Sequence, residues 1–125
     1  MALNQSILLG LLLMVNAVEP VFRERLLFIF GNPENQLLVQ GQLQLLADVP
    51  GEIKERDIKI SVVPTGSSLY KNYQVKPGHF IVILVGKDGG EKYRSNKILQ
   101  PAELFALIDA MPMRKAEMNQ KLKED

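Results

Sequence analysis

Apolar and polar positions along the chain alternate in ways that mark out short strands and two amphipathic helical segments. The densest apolar block is Phe80-Ile-Val-Ile-Leu-Val85. Phe80, Val82 and Leu84 fall on one face of an extended chain and Ile81, Ile83 and Val85 on the other, so this strand belongs in a sheet interior with cover on both sides. Its return partner, Glu91-Lys-Tyr-Arg-Ser95, is mostly polar on both faces and suits an edge, where charge discourages pairing with other chains. Between them Asp88-Gly89 predicts a tight hairpin turn of type I′, with positive φ at both central residues. Leu26-Leu-Phe-Ile-Phe30 is again apolar on both faces and predicts a second interior strand. Ile58-Lys-Ile-Ser-Val-Val63 places Lys59 and Ser61 on its alternate face, which predicts a half-covered edge strand.

Helical signals lie between these strands. After Gly31, Asn32 is an N-cap candidate, Pro33 suits the first helical position, and Glu34 places a carboxylate in the first turn. Leu37, Leu38, Gly41, Leu45, Leu46 and Val49 then recur at helical spacing, and the helix is predicted to end before Pro50-Gly51. Glu52 to Asp57 reads as a solvated connection. Pro64 to Ser68 turns the chain, Leu69 to Tyr73 predicts a short helical stretch, and Lys76-Pro-Gly78 resets the direction before the central strand. Pro101 to Met111 carries Leu104, Leu107, Ile108 and Met111 on one stripe. Pro112 disfavours a straight continuation, and Met113 to Asp125 predicts an exposed helical tail that frays at its end. One helical segment before the central strand and one after it are thus expected to hold the two sheet faces away from water.

Two doubly apolar strands inside and two half-polar strands outside give the spatial order second, first, third, fourth. The first two are separated by a helix and should run parallel through a right-handed crossover; the last two are antiparallel. The expectation is an α/β fold with a four-stranded mixed sheet of order 2-1-3-4 and helices on both faces.

Composition narrows the function. The chain has 125 residues, enough for one core, and its net charge of +1 supplies no field for nucleic acid or an anionic membrane surface. It has no cysteine, which removes disulfides, thiolate metal sites and thiol nucleophiles together. Residues 1–17 contain no charged side chain, and Ile7 to Val15 is a continuous apolar run followed by Asn16-Ala17. That pattern predicts a secretory signal cleaved after Ala17 and an exported, periplasmic or extracellular protein, although a positive n-region is lacking. An uncleaved apolar helix or a peripheral anchor is the alternative; the run is about half the ~20 residues of a spanning helix, so no stable span is expected after cleavage. The organisation predicted is a signal over residues 1–17, a domain over 18–118 and a charged tail over 119–125.

The element order strand, helix, strand, short helix, hairpin, helix is that of thioredoxin. Phe80 to Ser95 and Glu103 to Met118, the latter with the unusual run Ile108-Asp-Ala-Met-Pro-Met-Arg114, resemble blocks of a domain-of-unknown-function family regarded as thioredoxin- or peroxiredoxin-like. Such domains occur in exported bacterial proteins and as modules of vertebrate extracellular proteins. The resemblance spans about Arg25 to Met118 and implies a thioredoxin-like fold and an extracytoplasmic address, without an agreed activity. Thioredoxin-like enzymes carry a nucleophilic thiol at the start of the first helix, where the dipole lowers its pKa. Here that position reads Gly31-Asn-Pro-Glu-Asn-Gln36, and Gly78-His79 stands where a cis-proline usually precedes the third strand. Thiol redox and peroxidase chemistry therefore lack their reacting group.

The remaining polar candidates are individually weak. His79, the single histidine, reads first as a hydrogen-bonded structural residue and second as a metal or acid-base group. Glu34 reads as a helix-terminus charge before a catalytic carboxylate. Lys87-Asp-Gly-Gly90 lacks the spacing of a phosphate loop. Arg25, Arg94 and Arg114 read as solvated charges, or as partners of Asp109 or Glu117 that fix the last helix, or as a docking surface. Met111, Met113 and Met118 read as core before partner-binding surface. No cofactor is implied. The leading reading is a non-catalytic exported domain whose interaction surface draws on Asn32, Glu34, His79, Arg94 and Arg114, with an unidentified protein or small ligand as partner. The alternative is a cysteine-independent enzyme or small-ligand binder using the same end.

Overall fold

The computed structural model describes residues 22–124; the expected leader over residues 1–17 lies outside them. Strand β1 (Arg25–Phe30) passes through a single 3-10 turn (Pro33–Asn35) into α1 (Gln36–Ala47) and α2 (Pro50–Glu55). Then come β2 (Ile58–Val62), α3 (Ser68–Asn72), β3 (Ile81–Val85), β4 (Glu91–Ser95), α4 (Pro101–Asp109) and α5 (Pro112–Glu124). The sheet order is β2-β1-β3-β4, with β1 parallel to β2 and both other pairs antiparallel. This is the order derived from which strands carry polar side chains. Helix α5 runs unbroken through residue 118.

The central strands are covered on both sides, as their sequence requires. Leu27, Ile29, Val82 and Leu84 join Val39, Leu46, Leu104 and Ile108 in one core layer. Phe28, Phe30, Ile83 and Val85 join Val63, Tyr70 and Val75 in the other. The two longer helices that flank the hairpin in sequence, α1 and α4, lie on the same face, so the expectation that one helix covers each face needs correcting. On the second face α3 has only five residues, and aromatic bulk replaces helix length: Tyr70 meets Phe30 edge-on at 5.0 Å and Tyr73 tilts over Phe28 at 5.6 Å.

Three local expectations are revised. Leu37 and Leu38 are not on the buried stripe of α1, which is Val39, Gln42 and Leu46; Leu37 is 85% exposed. The reason is Gln42, a fully buried amide that donates Nε2–H to the Leu99 carbonyl at 2.9 Å and accepts from the Leu99 N–H at 2.7 Å. It satisfies both backbone groups of a loop residue as a neighbouring strand would, and so ties α1 to the approach of α4. Second, the supposed solvated connection begins as α2, with Pro50 in its first turn, Ile53 packed on the core, and Asp57 at φ 52° turning the chain into β2. Third, the hairpin is not a type I′ turn. Gly89 has φ 81° but Asp88 does not have positive φ; the Gly89 N–H donates to the Gly86 carbonyl and Asp88 accepts from the Gly90 N–H at 2.9 Å. The aspartate side chain thus closes a longer loop, and the pairing of β3 with β4 shifts register after Leu84.

Ion pairs fix α5 at the end of the sheet where β1 begins. Arg25 is 1% exposed; it donates to the Arg56 carbonyl at 2.8 Å and to Glu117 at 3.0 Å. Lys87 bridges Glu117 and Asp57 at 2.5 and 2.8 Å. Arg56 grips Asp109 through two bonds of 3.0 and 2.9 Å and lies 4.4 Å from the centre of the Phe105 ring. Arg114 donates to Asp109 at 3.1 Å. Hydrogen bonds from Arg56, opposed by burial and reinforced by Arg114, hold the Asp109 carboxyl below the usual carboxylate range. For Glu117 burial pushes upward first, and the bonds from Arg25 and Lys87 together overcome it, leaving this carboxyl low as well.

Two outcomes follow from this packing. Gln42→Leu should lower the unfolding free energy by about 2–4 kcal/mol in urea denaturation, because two buried backbone groups of Leu99 lose their partners; an unchanged midpoint would refute that role. The depressed pKa values of Asp109 and Glu117 mean that their contribution is complete above the unfolded-chain values, about 4, and is lost as pH falls through the lower folded values. Stability measured from about pH 6 down to pH 3 should therefore fall less steeply in an Asp109→Asn/Glu117→Gln double variant than in wild type. Parallel curves would show that these carboxylates do not carry the dependence.

Candidate functional site

Pairing of Phe30 with Ile81 brings the segment after β1 beside the segment before β3. Asn32 and His79 flank that junction. The chain leaves β1 through Gly31, where a Cβ would come within 2.6 Å of Val39 Cγ2, so close packing of α1 on the strand end requires glycine. Asn32 caps the following turn reciprocally: the Asn35 N–H donates to Asn32 Oδ1 at 3.2 Å and the Asn32 N–H donates to Asn35 Oδ1 at 3.3 Å. The capping position read from sequence is thus correct, with Asn35 as the unforeseen partner. Glu34 lies exposed in the same turn. Gly78, at φ 92°, takes the chain past Asn32 to an exposed His79.

His79 and Arg94 share a shallow depression of about 190 Å³ with Gln74 and Lys76. Arg94 is anchored there, donating to the Tyr73 carbonyl at 2.6 Å and to Glu91 at 2.7 Å. The Glu91 hydrogen bond, against slight burial, raises its pKa further. His79 and Arg94 thus share one depression, while Asn32 lies beside Gly78 at the neighbouring strand end. Among the described residues no group of three or more His, Cys, Asp and Glu side chains is placed to hold a metal ion.

Arg114 does not join them. It is 4% exposed at the opposite end of the sheet, held by Asp109 and by the Glu55 carbonyl at 3.3 Å, and it fixes α5 as the ion-pairing reading of the sequence allowed. Exposed apolar side chains were missed instead. Leu37 and Leu38 stand at the start of α1 and Val62 at the end of β2, all near the Asn32 end. Their apolar character disguised them as core; the signal that could have exposed them is the placement of Val39 and Leu46 seven residues apart, a register that turns Leu37 away.

The described residues include no helix long and apolar enough to cross a membrane. In solved structures the fold is similar to reduced 2-Cys peroxiredoxin of Plasmodium vivax, at TM-score 0.59 and 13% identity over 78% of this chain and 82% of that one. It is also similar to the N-terminal domain of PilB from Neisseria gonorrhoeae, at TM-score 0.54 and 14% identity over 74% and 80%. Thioredoxin-2 of the malaria parasite aligns at TM-score 0.52 and 18% identity over 70% and 84%. At such identities the likeness establishes a thioredoxin-like fold and nothing of activity. No curated protein sequence matches the chain. The match of residues 21–117 to a family of its own is what classifies the sequence: the chain belongs to the family described as Domain of unknown function (DUF4174).

Proposed function

We propose that the protein is an exported, non-catalytic interaction domain that meets its partner with the end of the sheet carrying Asn32, Glu34, His79 and Arg94. The observation that carries this reading is the pairing of a chemically quiet turn with exposed apolar surface. The turn at the head of α1 has no thiol, and its two asparagines satisfy each other's backbone N–H groups. Leu37, at 85% exposure, and Leu38, at 40%, stand directly after it. Large apolar side chains ringed by polar ones are the composition of a protein-contact surface. Export rests on the uncharged residues 1–17 and the apolar run Ile7 to Val15 ending in Asn16-Ala17.

The small-ligand alternative finds little room here, since the depression beside His79 is about 190 Å³, below the ~300–1,000 Å³ of ordinary ligand sites. A protein partner is the better match.

Affinity capture from the extracytoplasmic fraction of the native host tests the surface. A partner retained by wild type and by Leu122→Ser should be lost with Leu37→Ser/Leu38→Ser; retention by all three, or capture of nothing, counts against it. The mass of protein recovered from that host tests export, with loss of residues 1–17 expected. Recovery of the full-length chain from the cytosol would refute it.

A further inference from the structure

The hairpin loop Lys87 to Gly90 and the unusual run Ile108 to Arg114 meet at the end of the sheet remote from His79. Between them lies an open cleft of about 520 Å³. One wall is polar, with Arg25, Lys87, Lys92 and the carboxylate of Asp88; the other is apolar, with Leu107, Met111 and Met113. This volume lies within the range of small-molecule sites, which typically combine apolar walls with a few convergent polar groups.

One donor on the polar side lacks an acceptor. Arg25 is 1% exposed, and its Nε is the one buried side-chain nitrogen or oxygen without a hydrogen-bond partner among the described residues. A buried N–H left unpaired is costly and calls for an acceptor. Lys92 is held only by Asp88, in a pair of 2.6 Å whose side chains are 35% and 43% exposed. Such surface pairs contribute little and exchange partners readily. The Lys92 stem lies over Gly86, where a Cβ would come within 2.6 Å of its Cε, so the absence of a side chain there lets the lysine lie along the cleft. Helix α5 begins at the same rim, with Pro112 and Met113, and brings the positive end of its dipole.

An unpartnered Arg25 N–H and a Lys92 held only by Asp88, facing a flexible, polarizable wall of methionine and leucine, define the chemistry of an occupant whose acid group replaces Asp88 on Lys92. We propose that this cleft binds a small amphipathic carboxylate, its head group at Lys92 and the Arg25 side and its apolar body along Leu107, Met111 and Met113. The site is independent of the interaction surface at the His79 end, and each stands if the other fails.

Octanoate is the probe and 1-octanol its uncharged control, titrated into the isotope-labelled full chain and followed by backbone amide NMR. Octanoate should give saturable shifts confined to residues near 86–92 and 107–113, with 1-octanol binding more weakly. Lys92→Gln should weaken octanoate by about tenfold, the worth of one charge-assisted hydrogen bond, and Ala110→Trp should block the cleft. His79→Ala should bind as wild type. Lys92 is on an exposed edge hairpin, so its variant keeps the test decisive even where the tryptophan variant fails to fold. No saturable shift up to the solubility limit, equal binding of 1-octanol, wild-type affinity in Lys92→Gln, or loss of binding in His79→Ala would each overturn the proposal.

Discussion

Burial of β1 and β3 on both faces is the constraint on which the structure depends. Leu27, Ile29, Phe30, Val82, Ile83 and Leu84 are all fully buried, and each such side chain contributes roughly 1.5–3 kcal/mol relative to exposure. No single layer of helices can supply that cover. One face takes α1 and α4; the other has only the short α3 and fills its remaining area with Tyr70, Tyr73 and Val75. The outer positions follow by exclusion, because Lys59 on β2 and Lys92 on β4 have to reach water. Strand order is therefore a consequence of where charge is tolerated, and the parallel β1–β2 pair follows from the helices placed between them.

That logic explains what could be read in the chain and what could not. Strand identity, order and pairing depend on alternation within five or six residues, a local property. The register of α1 does not. Leu37 and Leu38 continue an apolar period, yet the helix rotates to bury Gln42, whose cost is recovered only through Leu99, far along the sequence. The same limit applies to Arg25 and Arg114: their burial requires Glu117, Asp109 and Glu55 to be brought together by the finished fold. Of the proposed surface, Asn32, Glu34, His79 and Arg94 could be placed by fold order alone, because they sit beside strand ends. Arg114 could not, because it follows a break at Pro112 that leaves the direction of the last helix open.

The ion pairs differ in kind from the hydrophobic layers. Charges with little exposure carry a desolvation cost that their mutual attraction scarcely exceeds, so their presence is weak evidence of added stability. Their geometry is demanding, however. Glu117 is met by both Arg25 and Lys87, and Asp109 by both Arg56 and Arg114. Helix α5 contributes few buried side chains of its own, and Arg114 is the buried one. Packing alone would leave that helix free to settle in several orientations; two doubly bridged carboxylates select one. Specifying position is the better account of why so many charges are gathered there.

Hydrogen-bond satisfaction then separates the two ends of the sheet more sharply than fold analogy does. Thioredoxin-like enzymes work at the head of the first helix because unpaired N–H groups and the dipole there favour a thiolate. In this chain the asparagine pair answers N–H groups on both sides of that turn, and Arg94 nearby is already anchored. The unanswered donor is at the other end, on Arg25, beside an apolar wall and an easily exchanged lysine. A thioredoxin-like fold without the usual nucleophile need not place a site at the head of the first helix. An unanswered buried donor marks where an acceptor gains most, and here it lies away from the helix head.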